Sequence, residues 1–450
     1  MNDERMRTKN ILPLLIEFSI PAIIGMMVNA IYNIVDRIFI GNAPELGVLG
    51  LAGISIAYPV TLVLLAIATM IGVGSATRFS IALGSQKKDE ASQYMGNGLT
   101  LAIIFGSLFL FLGNLFLEPL LKFLGSSDAV MPYAKSYLSI ILYGAIFQCV
   151  TLAGNNFSRA QGNPKNSMIS QLIGAIFNII FDYIFIVLFH MGMAGAALAT
   201  IGGQLLSAIW QLVFLFGKRT IIRITFQSMI LKLCYALDII RTGIPAFLLQ
   251  IASSILNFVL NATLSKHGGD VALSVIGIIM SVYTIVLMGP MTGLTQGQQP
   301  LISYNYGAKL IDRVKETLKY SIIGATMIGV IGFIAVQFFT VQIIQLFNND
   351  EKVISLGVDA LRIWYMALPI IGAQMMCANY FQAIGKVSIS SFLNLLRHII
   401  ILIPLVLIFS HFFGLYGIFY AVPIADILAF IITIILIVRE LKNIPSQENK

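Results

Sequence analysis

"NNFSRAQG" at residues 155–162 and "NYFQAIG" at residues 379–385 end in glycines 223 positions apart. Asn156 and Asn379, and Ala160 and Ala383, keep the same offset. Three further matches share it to within one residue. "GSATRFSIALGSQKK" begins at Gly74 and "GQQPLISYNYGAK" at Gly297, with Gly84 and Gly307 also in register. "SIPA", with Pro21, faces "GIPA", with Pro245, and "MGMAGAALA" faces "FGLYGIFYA" through Gly192/Gly414 and Gly195/Gly417. A near-constant offset at four separate places means that the 450-residue chain is one unit written twice.

The composition gives the unit its solvent. Apolar residues make up 58% of the chain, charged residues 11%, and the mean hydropathy is +0.90. A soluble domain carries roughly 25% charged residues, so this chain folds in a bilayer. Apolar stretches long enough to cross about 30 Å of hydrocarbon recur throughout. Their spacing is not the ten-residue alternation of a membrane barrel, so the spans are helices. Twelve are expected, at roughly 14–40, 52–78, 92–117, 134–157, 166–189, 193–216, 243–265, 271–296, 318–343, 360–382, 388–410 and 414–438. The fold class is therefore an all-α polytopic membrane protein. Six helices per copy make the repeats parallel, related by an axis along the membrane normal. The expected organisation is a first lobe over 1–216, a linker with an interfacial helix over 217–242, and a second lobe over 243–450. Two six-helix lobes about a cleft is a plan for alternating access.

The net charge of +8 follows topology. Twenty basic residues, among them Arg5, Lys87, Arg159, Arg219, Arg223, Arg313, Lys386 and Lys450, fall on the side of the termini. Only Lys122, Lys135, Lys266 and Lys352 fall on the other. By the positive-inside rule both termini are cytoplasmic. Basic residues so placed mark orientation and give no reason to invoke nucleic acid. The opening "MNDERMRTKN" reads as the lead into an uncleaved first helix. Cys149, Cys234 and Cys377 lack the spacing of a disulfide framework or zinc site. The four histidines are scattered, and no acid-plus-nucleophile or metal motif supports an enzyme.

Ionisable residues inside the spans are few: Asp36, Arg37, Asp182, Arg397 and Asp426. Each costs about 2.5–3.5 kcal/mol at a helix centre, so each needs a reason. Glu17, Arg78, Asp359 and Arg362 fall near span ends, where a long side chain reaches water cheaply. In "FNIIFD" (177–182), Asn178 and Asp182 are four apart and so share a helix face. An amide there can bond the carboxyl or share a bound ion with it. A carboxyl removed from water holds its proton more tightly, so such a group exchanges protons near physiological pH. The same oxygens could instead hold sodium. An Asp36–Arg37 pair is awkward, because adjacent helical positions do not face each other. The second lobe copies neither acid: helix 7 offers Gln250, Asn257 and Asn261. Any ion site is therefore asymmetric. Asp426 reads as structural, and Arg397 as reaching cytoplasmic water or a phosphate, or pairing locally.

The double six-helix plan together with "SIPA…VDRIFIG", "RAQGNP", "FNIIFD", "GAALAT" and "GIPAFLLQ" resembles the multidrug and toxic compound extrusion (MATE) family. The absence of a helix 7 acid points within it to the DinF-like branch, close to MepA-type exporters. The resemblance implies a V-shaped antiporter that exports cationic amphiphilic compounds against inward protons or sodium, without a cofactor and as a monomer in the plasma membrane. It implies a cation site of Asp36, Tyr137, Asn178, Asp182 and Thr200, and a helix 1 hinge at Pro21. A proline removes one backbone hydrogen bond, which supplies a bend independently of any resemblance. Met26, Tyr32, Tyr58, Gln250, Asn257, Tyr283, Met288, Met291 and Met375 lie on helices expected near the cleft. Methionine adapts to varied shapes and aromatic rings attract cations, which suits a permissive site. The alternative within transport is a flippase of lipid-linked oligosaccharides, which would need more cleft cations than this chain offers.

Overall fold

The computed structural model describes residues 2–43, 46–218 and 220–443. Arg219 and Lys450, counted above among the basic residues of the terminus side, lie outside them. Among the described residues nine helices are long and apolar enough to cross a membrane, and two bent pairs add two crossings. The longest of the nine, Val387–Asn443, breaks at Gly414, where φ is 58° and ψ −138°, and so crosses twice. Twelve crossings result, as expected. They are α1 (Ile11–Asn42), α2 (Gly47–Gly84), α3 (Lys88–Leu115), α4 (Met131–Tyr143 and Ala145–Ala160), α5 (Pro164–Leu188), α6 (Gly192–Phe216), α7 (Leu233–Gly269), α8 (Val271–Gly307), α9 (Ile311–Phe338), α10 (Glu351–Trp364 and Leu368–Ala383), α11 (387–413) and α12 (415–443).

Helices dominate because hydrocarbon offers no partner to an unpaired backbone group. Large apolar side chains such as Phe111, Leu115, Val213, Ile331 and Phe338 are exposed, at 68–77% of their surface, which costs nothing against lipid tails. The helix expected from Met229 onward begins at Leu233 and runs into α7 without a break, so membrane span and interfacial segment are one rod.

The repeat extends to the backbone's irregular points. Gly162 and Gly385 have φ of 76° and 77°, and Gly192 and Gly414 have 57° and 58°. Even the non-glycine left-handed residues match, Gln86 at 62° with Lys309 at 60°. The fourth helix of each lobe is broken at the same place, by 50° at Gly144 in α4 and by 48° between Trp364 and Leu368 in α10. Hydropathy announces neither break, because it averages over a window and passes across so short a kink.

The lobes meet closely at the end of the bundle that carries the N-terminus. A Cβ added to Gly84 on α2 would sit 2.0 Å from the Tyr304 carbonyl on α8, and one on Gly307 would sit 2.1 Å from the Ile81 carbonyl on α2. Gly74 likewise abuts Ile239 on α7, and Gly297 abuts Ser19 on α1. Only glycine permits backbones this near, the usual device where helices pack without a hydrophobic driving force. Because these four glycines pair at the repeat offset, two pseudo-symmetric contacts are each made twice. Polar bonds reinforce it. Arg78 pairs with Asp238 at 2.7 Å and donates to Thr242 at 2.8 Å, so it binds α7 and does not snorkel. Gln299 donates to Thr77 at 2.8 Å across the lobes.

Candidate functional site

The stretch that puts one carboxylate in an apolar run resolves into two faces of α5. Phe177, Phe181, Phe185 and Phe189 follow each other at i, i+4, with the first pair stacked at 4.0 Å. Asn178 and Asp182 lie on a buried face, at 2% and 0% exposure. Regular helix ends at Asp182, and the next six residues, Tyr183–Leu188, form a wider π-helical stretch. Such turns recur at functional sites because they shift side chains off the regular helical spacing.

Asp36, on α1, is buried and lies against Asp182, so the two carboxyls interact directly. Apart from that mutual contact, Oδ1 of Asp36, both carboxyl oxygens of Asp182 and Oδ1 of Asn178 have no hydrogen-bond partner among the described residues. Nδ2 of Asn178 donates to the Thr200 hydroxyl at 3.4 Å, and that hydroxyl donates to the Ala196 carbonyl at 3.0 Å. Tyr137, from the first segment of α4, is buried within electrostatic reach of both acids; Tyr32, one turn before Asp36, is half-buried and also within their reach. Arg37 is exposed and makes no ion pair with Asp36. All five residues expected at the cation site thus converge from α1, α4, α5 and α6. What they bring together is a set of buried oxygens with no ion-pair partner among the described residues, although the charge of the exposed Arg37 acts on Asp36. Two carboxyls pressed together away from water repel unless a proton or a cation sits between them. No group of three or more His, Cys, Asp or Glu among the described residues has the arrangement of a metal centre.

The residues expected on the cleft are more scattered. Met26, on α1, touches the Gln296 amide on α8 at 3.8 Å, and therefore lies between the lobes. Gln250, Met288 and Met375 are half-buried, whereas Tyr58 and Asn257 are exposed. Met291 is fully buried, packed with Gly372 and Ala325 inside the second lobe, and does not line an open surface here. Tyr283 accepts from Arg397 at 3.4 Å.

That arginine leads to a site the sequence did not reveal. Arg397 pairs with Asp426 at 2.5 Å, with side-chain exposures of 8% and 1%. His398 stands beside the guanidinium at 3.4 Å, and its other ring nitrogen meets the Asn394 carbonyl. Arg397 is buried and pairs with its neighbours inside the second lobe. The pair joins residues 29 apart on α11 and α12, a contact no local pattern announces.

The MatE family profile matches residues 21–184 and again 245–408, two copies whose starts are 224 apart. The multidrug export protein MepA of Staphylococcus aureus (strain MRSA252) is 26% identical over 415 residues, 92% of this chain and 90% of that protein. The MATE multidrug transporter DinF-BH, solved in complex with a ligand, is 36% identical, with a TM-score of 0.90 over 97% of both chains. A multidrug resistance MATE family transporter of the MOP superfamily, solved in an outward-facing conformation, is 25% identical, with a TM-score of 0.91 over 97% of this chain and 99% of that one.

Proposed function

The chain belongs to the MatE family, and from that premise we propose that it is a cation-coupled exporter of cationic amphiphilic drugs and toxic organic compounds. The observation that carries the reading is the contact of Asp36 with Asp182, buried and without an ion-pair partner among the described residues. A proton, or a sodium ion held by Asp36, Asn178 and Asp182, relieves their repulsion. Tyr137 and Thr200 complete the wall, and Thr200 accepts from the Asn178 amide nitrogen, which leaves the Asn178 oxygen available to an ion. No organic cofactor enters the cycle.

The basic residues put both termini in the cytoplasm. The lobes then close on the cytoplasmic side, and the cleft opens outward. In the cycle an ion enters from outside, discharges the acid pair and changes the packing of α1 against α5. Pro21 is buried in the third turn of α1, too deep for a first-turn proline, and leaves the Glu17 carbonyl without its helical partner. It is the hinge of this proposal. Met26, Tyr32, Gln250, Tyr283, Met288 and Met375 are the proposed substrate contacts. The working unit is a monomer in the plasma membrane, with first lobe, linker and second lobe at 1–216, 217–242 and 243–450.

One charge entering down about 100 mV supplies roughly 2.3 kcal/mol. That supports about a 50-fold gradient of a neutral solute. A cationic substrate leaving in exchange cancels the electrical gain, so export of a monovalent cation needs a pH gradient or more than one coupling ion. The flippase alternative is not favoured by MepA or DinF-BH, both named as multidrug transporters.

The test is efflux of a cationic dye from proteoliposomes, with proton and sodium gradients imposed separately. Efflux under one gradient, lost in Asp182→Asn, is the expected result and names the ion. Equal efflux in native and variant protein would make Asp182 structural.

A further inference from the structure

Arg159, within the repeat motif at 155–162, belongs by sequence with the solvated basic residues of the terminus side. It is instead buried, at 4% exposure. Its guanidinium donates to Ser167 Oγ at 2.7 Å and to Asn156 Oδ1 at 3.0 Å, which uses two of five N–H groups. No carboxylate among the described residues pairs with it. A buried guanidinium surrounded only by neutral amides and hydroxyls is an expensive arrangement, because burial of a charge is offset only by a partner of opposite sign.

The fold does not require a cation at this place. At the repeat offset the second lobe has Gln382, also buried but neutral. The charge therefore belongs to the first lobe alone, as the two acids do.

What Arg159 faces is a small cavity between the lobes, with Ser80 and Asn156 from the first and Gln296 and Gln299 from the second. Its room is about 10 Å³, on the scale of a single water, so an ion the size of chloride fits only with a small shift of the Ser80 and Gln296 side chains that line it. Two polar atoms on its wall, Ser80 Oγ and Gln296 Oε1, are buried and lack protein partners. The Ser80 hydroxyl can donate into the cavity, and half a turn of the Gln296 amide adds a second donor beside the guanidinium. Gln299 is already committed to Thr77.

We propose that Arg159, Ser80 and Gln296 form an interlobe binding site for a small monovalent anion of chloride size. The cavity excludes phosphate and carboxylate by volume, and the guanidinium excludes cations. Because both lobes supply its wall at the end where they close, the anion is held in that state and released when the lobes part there. By linkage, bound anion favours the state closed at the terminus side.

The experiment is thermal unfolding of the purified full-length protein in detergent, in sodium chloride against sodium gluconate at equal ionic strength and pH. The expected result is a saturable rise in melting temperature with chloride that is lost in Arg159→Gln, the residue of the second lobe, and weakened in Ser80→Ala. Equal melting temperatures of the native protein in the two salts would overturn the proposal. So would a chloride effect that survives in Arg159→Gln. Where that variant does not fold, native crystals soaked in bromide decide. An anomalous peak within hydrogen-bond reach of the guanidinium supports the site, and water alone there refutes it.

Discussion

Asp182 and Asp426 are both buried acids in membrane helices, yet their surroundings assign them different work. Asp426 has Arg397 at 2.5 Å, and Asp182 has only another carboxyl. Removing one member of a buried ion pair leaves the other charged and unpaired, which costs on the order of 3–5 kcal/mol, while replacing both by apolar groups is often nearly neutral. Asp426→Leu should therefore lower the melting temperature sharply, and Arg397→Leu combined with it should recover much of the loss. A double variant no more stable than the single would contradict a structural pair. At this scale the sequence was legible where a motif is local. Asn178 and Asp182 are four apart on one helix, and their shared face could be read directly. Arg397 with Asp426, and Arg159 with its cavity, depend on contacts between different helices. Arg159 looks like an ordinary cytoplasmic base because its helix end falls where bases are expected; only the close approach of the second lobe buries it.

Among the elements, α1 connects the acid pair to the closed end of the bundle. It carries Pro21 near one end and Asp36 near the other, contacts α5 along the acid pair, and lies against α8 where the lobes close. Pro21 removes a backbone hydrogen bond in a buried turn, and a helix-interior proline costs about 3 kcal/mol relative to alanine. If Pro21 is the hinge, Pro21→Ala should raise thermal stability by up to about that amount while slowing dye efflux several-fold at unchanged expression. Unchanged turnover would make the proline a passive kink. Spans were read from hydropathy to within a few residues at most ends. The breaks in α4 and α10 were not, because Gly144 and the three residues after Trp364 interrupt the helix for too short a distance to change a window average. The start of α7 was extended for a related reason: basic and apolar residues of 233–242 alternate as an interfacial helix would, and nothing in them marks continuity with the span.

For the whole molecule, the repeat offset announced two lobes, and the structure repeats not only the helices but their left-handed turns, bends and glycine contacts. Symmetry in the scaffold makes the asymmetry of the charges informative. The acids Asp36 and Asp182 and the base Arg159 occur in the first lobe, and the second has neutral residues or an internal pair. In the proposed cycle the driving ion binds on the first lobe, and both lobes close through a shared glycine seam. The claim to test is that ion and substrate cross by the same cycle through Asp182. The measurement is made in proteoliposomes without any ion gradient: a cationic dye gradient is imposed while internal pH and sodium are recorded. Dye leaving is expected to drive one of the two ions in the opposite direction at a fixed ratio, and Asp182→Asn to abolish this ion movement. Dye movement without countermovement of either ion, or ion movement that persists in Asp182→Asn, would contradict that claim.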